Sequence, residues 1–356
     1  HPLFNLFYPS RSKDIIASFL KHYQQSVHGA LPIWSHMANE NWCMIGYHGV
    51  SVVADAYVKG IEMDEKLALE AVMSNSTIPY LDGLKEYMEL GYVPMNKSGN
   101  SASVTLEYGY DDWTIYNMAR LMGKQEVADK YLKRAAAYKY LVDEDLGFIR
   151  PKDSVGKWKA NFDVLDTHGQ GFIEGNSWNY TFYVPHDVYG LAKLMGGKKP
   201  FVNKLQMVFD EGLYDPANEP DIAYAHLFSY FKGEEWRTQK ETQRLLDKYF
   251  TTKPDGIPGN DDTGTMSAWA IFNMIGFYPD CPGLPEYALT TPVFNKVTIR
   301  LDPKWYKENE LVIESNRTGS ETLYINKVLL DGKKFNKYRI THDELVHGKR
   351  LIFDLK

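Results

Sequence analysis

The sequence predicts a mainly α fold followed by a small C-terminal antiparallel β region. Three observations predict it. Apolar residues recur at helical spacing from about 12 to 276 with no strand-like alternation between the segments. The turns between those segments are short and carry Gly, Pro or Asn. After Pro279 the texture changes to alternating apolar and polar residues.

Taken in order, residues 12–27 place Ile15, Ile16, Phe19, Leu20 and Tyr23 on one helical face, with Ser12 as a cap. A polar loop, His36 to Trp42, leads to an apolar helix over about 49–59. Helical patterns recur at 65–75, 80–90, 104–122, 126–140, 183–195, 199–210, 221–232, 235–249 and 266–276. Such an array is either a solenoid or a closed helical barrel. No fixed repeat of matching side chains is visible, and the loops vary in length and are rich in Trp, Asp, Asn and His, which suits the rim of an active site. Beyond Pro279, KVTIRL, ELVIES, TLYINKVLLDGKKF and RLIFDL read as strands, and Asp331-Gly332 as a hairpin turn. The expected organisation is a helical catalytic domain over 1–283 and a β region over 284–356 packed on it. Asn75-Ser76-Thr77 and Asn316-Arg317-Thr318 are glycosylation sequons that matter only in a eukaryotic secreted protein.

With 356 residues, 44% of them hydrophobic, the chain can fill a large core. Its net charge of -6 is spread without blocks, so no basic stripe for nucleic acid or lipid headgroups is present. Aromatics reach 14%, with 25 Tyr, 17 Phe and 8 Trp, and rings beside Asp, Glu and Asn suit the apolar faces and hydroxyl edges of sugars. Two cysteines, Cys43 and Cys281, support neither a disulfide framework nor a metal cluster. No run of about 18 apolar residues exists, so no membrane span is expected. The opening His1-Pro2-Leu3 has no initiator methionine or signal and reads as part of a longer precursor.

Four stretches carry chemistry. In 256–283, GIPGNDDTGTMSAWAIFNMIGFYPDCPG, Asp261 and Asp262 sit on a glycine-bounded loop directly before a helix that is apolar almost all round. They suit a general base, and equally a helix cap. In TLEYGYDDW, Glu107 and Asp111 are four apart on one helix face, where mutual repulsion and apolar rings would raise a pKa toward that of a general acid. The same acids also complement a helix dipole. The stretch 166–187 is too dense in amides, acids and aromatics for a core and reads as the wall of a polar pocket. Asn218-Glu219-Pro220-Asp221 precedes another helical pattern.

In this order, LPIWSHMANENWCMIGYH, TLEYGYDDW, DTHGQGFIEGNSWNY, NEP and GNDDTGTMSAW followed by GFYPDCPG resemble the signature segments of glycoside hydrolase family 92, the calcium-dependent α-mannosidases. The resemblance spans about residues 1–300. It implies an exo-acting, inverting hydrolase with an (α/α)6 barrel, in which calcium binds terminal mannose hydroxyls. It implies Glu107 as general acid and Asp261 or Asp262 as general base. It further implies Asn179, Asn218 and Glu219 in the segments that supply calcium ligands, and Trp34, Glu40, Asn41, Glu174 and Trp178 around the sugar. The implied partners are a mannose-containing glycan and an N-terminal β-sandwich domain of the same precursor, in a bacterial protein that is periplasmic, secreted or at the cell surface.

The chain departs from the family in three places. Asp221-Ile222-Ala223 stands where many members have Ser-His-His, Thr265 where Gln is usual, and Ile173 where some α-1,2-specific members place His. Each falls near the pocket and counts against α-1,2 specificity. The leading expectation is therefore an α-mannosidase. The alternatives are a catalytically impaired glycan-binding protein of the same fold, which would have no use for an acid and base pair, and a helical scaffold, which would show an apolar surface patch and no pocket.

Overall fold

A computed structural model describes residues 1–37, 39–317, 319 and 322–356. The helices are α1 (Pro2–Phe7), α2 (Pro9–Gln25), α3 (Gly49–Val58), α4 (Glu65–Asn75), α5 (Leu84–Leu90), α6 (Ser101–Leu121), α7 (Gln125–Ala135), α8 (Ser177–Thr181), α9 (Val188–Leu194), α10 (Lys198–Asp210), α11 (Glu235–Tyr249), α12 (Thr265–Ile275) and α13 (His342–His347). Two 3-10 stretches, Ala137–Tyr140 and Glu219–Tyr230, continue the helical pattern. The strands are β1 (Ser35–His36), β2 (Asn39–Glu40), β3 (Val142–Asp143), β4 (Phe148–Ile149), β5 (Phe277–Tyr278), β6 (Glu286–Leu289), β7 (Lys296–Arg300), β8 (Glu310–Arg317), β9 (Ile325–Leu330), β10 (Lys333–Phe335), β11 (Arg339–Thr341) and β12 (Arg350–Leu355). Thr318 of the second sequon lies outside the described residues.

The chain forms two compact units. The helical unit comprises Ser10–Val208 and Pro282–Leu284; the mixed unit comprises His1–Pro9, Phe209–Cys281 and Pro285–Lys356. In the helical unit, α6 is the organising element. Of its 21 residues 17 are buried, so it shows no single apolar stripe. Two of its buried polar side chains donate to backbone carbonyls, Thr105 Oγ1 to Ser101 O at 2.7 Å and Asn117 Nδ2 to Gly283 O at 2.6 Å. Gly283 N in turn donates to Asp55 Oδ1 at 2.8 Å, which seats 282–284 in this unit. Packing of α3, α4 and α7 on α6 buries Val50, Val53, Ala68, Val72, Leu106, Ile115, Ala128 and Tyr131.

Helix α2 begins at Pro9, a residue suited to a first turn, so Ser12 is a buried residue inside the helix and not its cap. Two minimal hairpins, β1/β2 and β3/β4, interrupt the helices where the sequence shows no alternation.

In the mixed unit a five-stranded sheet has the order β10-β9-β12-β8-β7. Leu311, Ile313, Leu351, Phe353 and Leu355 are its buried, alternating positions. Asp331 (φ 50°) and Gly332 (φ 78°) form the β9–β10 turn. The sheet is not wholly antiparallel: β12 pairs parallel to β8, with Leu351 opposite Ile313. That arrangement arises because β12 arrives after the β9–β10 hairpin and α13 and inserts between β8 and β9. A second sheet, β11-β6-β5, adjoins the 3-10 helix Glu219–Tyr230 in the same unit. Tyr306 Oη donates to Asn5 O at 2.9 Å, which ties α1 to this unit. Cys43 is exposed and Cys281 buried, each a thiol. Among the described residues no helix is long and apolar enough to cross a membrane.

Candidate active site

The carboxylates of α6 do not stand alone. Glu107 and Asp111 share a face, and His48, at the entrance to α3, bridges them. Its Nε2 lies 2.8 Å from Glu107 Oε2 and its Nδ1 2.9 Å from Asp111 Oδ1. Asp111 Oδ2 also accepts the Tyr47 N–H at 2.8 Å. Burial works against charge on the imidazole, but Asp111 and then Glu107 outweigh it and hold its pKa well above 6.5. The expected repulsion between the two acids is thus met by an imidazole between them. Asp111 is fully buried, whereas the Glu107 side chain keeps 10% of its surface exposed and His48 keeps 40%. Gly46 makes room for the bond: a Cβ there would lie 2.6 Å from His48 Nε2 and 2.9 Å from Glu107 Oε2.

The neighbouring acid, Asp112, serves a different network. It accepts from Tyr47 Oη at 2.8 Å, Tyr87 Oη at 2.9 Å and Arg134 Nε at 2.6 Å, all inside the core. Burial pushes its pKa up to about 6 against the pull of Arg134. Asp112 is thus an internal structural group.

The loop before α12 divides its two acids. Asp261 Oδ1 accepts from Ser267 N at 2.8 Å and Oδ2 from Ser267 Oγ at 2.9 Å, so this carboxylate caps the first turn. Asp262 is exposed. It lies in a run of left-handed residues, Asp262 (φ 43°), Thr263 (φ 59°) and Gly264 (φ 89°), closed by Thr265 Oγ1 donating to Asp262 O at 2.7 Å. The departure at Thr265 has a structural use. Helix α12 itself is not buried all round, since Ile271 is 42% exposed.

The remaining expected residues fall into three groups. In the 33–42 loop, Glu40 accepts the N–H groups of Ile33, Trp34, Asn41 and Trp42 at 2.7–3.0 Å and so knits the loop together. Asn41 Oδ1 accepts from Cys43 N, and Trp34 is 47% exposed with its Nε1 donating to His36. In the helical unit, Trp178 is 7% exposed and packs edge to face on Phe148 at 4.7 Å. Asn179 closes a capping box with Asn176, and Glu174 is exposed at φ 48°. In the mixed unit, Asn218 is buried at the head of the 3-10 helix without a side-chain cap bond, and Glu219 beside it is exposed.

No group of three or more His, Cys, Asp and Glu side chains among the described residues could hold a metal ion. The donors expected for calcium, Asn179, Asn218 and Glu219, are two amide oxygens and one carboxylate, a hard set that fits this ion in kind. His48 is the residue that sequence reasoning missed. Its signal was the Tyr-His-Gly step at a helix entrance within the IGYH segment, but its partners lie 59 and 63 positions away.

Residues 1–356 match the glycosyl hydrolase family 92 catalytic domain. An α-mannosidase of that family from Bacteroides thetaiotaomicron is similar in structure, with a TM-score of 0.95 and 37% identity over 100% of this chain and 48% of its own. An inverting mannosidase from the same organism has a TM-score of 0.91 and 35% identity, covering 100% of this chain and 51% of its own. An uncharacterised secreted glycosidase of Arthroderma benhamiae is 29% identical over 84% of this chain and 43% of its own length. The chain thus spans about half the length of these relatives, and its fold is of the same mainly α, (α/α)-barrel class as the two mannosidases.

Proposed function

The chain belongs to glycosyl hydrolase family 92, and from that premise we propose that the protein releases terminal α-linked mannose from glycans with inversion, aided by calcium. The observation that carries the reading is the division of the acids. Asp261 is occupied in a helix cap while Asp262 presents its carboxylate to solvent, and on α6 Asp111 is buried while Glu107 retains an exposed edge.

Inverting hydrolysis needs a carboxylic acid to protonate the leaving oxygen and a carboxylate to deprotonate water on the opposite face of the sugar, about 6.5–9.5 Å apart. In this reading Glu107 is the acid and Asp262 the base, with Asp261 holding the loop that presents it. Trp34 and Glu174 contact sugar; Glu40 and Asn41 shape the loop that carries Trp34, and Trp178 backs the wall. Calcium held by Asn179, Asn218 and Glu219 would polarise sugar hydroxyls and favour ring distortion. The residues at 173 and 221–223 argue for a linkage other than α-1,2. Retention of both an acid and a base weighs against a protein that only binds.

We place the rest of the sugar pocket in an N-terminal β-sandwich domain of the same protein. Export, in a bacterial periplasm or at a cell surface, is supported by the bacterial mannosidases and the secreted fungal relative. The test is incubation of the full-length protein with a panel of α-linked mannobioses, with calcium and with a chelator, following free mannose and its anomer by NMR. Chelator-sensitive release of β-mannose is expected, and the preferred disaccharide gives the linkage. Release of the α anomer would refute inversion, and release indifferent to chelator would refute the calcium role.

A further inference from the structure

We propose that His48 is a positioning residue of Glu107 that also stores the proton this carboxyl delivers, a role that rests on reading Glu107 as the general acid. A glutamic acid in water has a pKa of about 4.3 and is almost wholly ionised at neutral pH. A carboxyl bonded at 2.8 Å to an imidazole can share a proton held at higher pH, on Nε2 or on Oε2.

Asp111 decides which ring nitrogen exchanges. Fixed by the Tyr47 N–H and fully buried, it holds Nδ1–H at 2.9 Å, so Nε2 is left to face Glu107. Gly46 leaves the space this bond requires, because a side chain there would strike both of its atoms. The 40% exposed ring can recover a proton from solvent. The groups facing it are Glu107 and Asp111 from α6, with the Tyr110 ring of the same helix at 6.2 Å. Asp112 is bonded to Arg134 and to the Tyr47 hydroxyl. The charges and hydrogen bonds of Asp111 and Glu107 favour the protonated ring and raise its pKa above the ordinary imidazole value.

The step balances. The Nε2–H bond breaks as Oε2–H forms, leaving a neutral ring with Nδ1–H on Asp111. Glu107 gives one proton to the leaving oxygen and returns to carboxylate, while the base takes one from water. Solvent then returns one proton to Nε2, and the base releases one.

The test is the pH profile of kcat/KM for the full-length protein and its His48→Gln variant on an α-mannobiose and on 2,4-dinitrophenyl α-mannoside, whose leaving group needs no protonation. With mannobiose, the alkaline limb of the variant is expected to fall by about one pH unit or more, and with the dinitrophenyl substrate to stay in place. Asp111→Asn, which removes the counter-charge of the ring, moves the limb the same way and carries the test if His48→Gln does not fold. Variant limbs that superpose on the parent with mannobiose would overturn the proposal. Glu107→Gln separates this from failure of the underlying reading: loss of mannobiose cleavage with dinitrophenyl turnover retained upholds Glu107 as the acid, and mannobiose cleavage at the parent rate removes it.

Discussion

Two pairs of acids, one on a buried helix and one on an exposed loop, are held by opposite means. On α6, Glu107 and Asp111 stand in a rigid frame and are bridged by one imidazole. Before α12, Asp261 and Asp262 are adjacent on a backbone turned through three left-handed residues, and they point to different tasks. The common lesson is that each pair spends one member on structure. Asp111 anchors His48 and the Tyr47 amide, and Asp261 caps a helix; in the proposed mechanism their companions do the chemistry.

Substitution tests that division, starting with the largest effects. Glu107→Gln and Asp262→Asn are each expected to lower kcat/KM on mannobiose by about 100- to 10,000-fold, read in steady-state assays of the full-length protein. A larger loss for Asp261→Asn than for Asp262→Asn would reverse the assignment on the loop. Next, Asp112 marks what a purely structural acid looks like. Arg134→Met leaves its buried carboxylate without its cation and should cost about 3–5 kcal/mol of stability in urea denaturation. The smallest effect is Asp261→Ala, about 1 kcal/mol from loss of the cap, measured the same way.

Much of this was legible in the sequence because it is local. The helix before GFYP and the Asp331-Gly332 hairpin follow from composition and turn chemistry read over fewer than about 20 residues. The paired acids at 107, 111, 261 and 262 were visible as clusters, but their division of labour was not. It depends on Ser267 accepting the role of capped partner and on His48 arriving from 59 positions away. That four amides of its own loop converge on Glu40 was not legible, because an acid among aromatics gives no sign of it. The parallel partnership of β12 with β8 was hidden for a related reason: alternation reveals a strand, not its neighbour.

The position of β12 has a consequence for synthesis. The central strand of the five is the last of them to leave the ribosome, so β7 and β8 emerge with an unfilled edge and β9 and β10 can close only as a separate hairpin. At roughly 5–20 residues per second, the early strands wait several seconds for their keystone. During that interval the apolar faces of Leu311 and Ile313 are open to other nascent chains. That edge stays open until residues 350–355 are delivered to fill it.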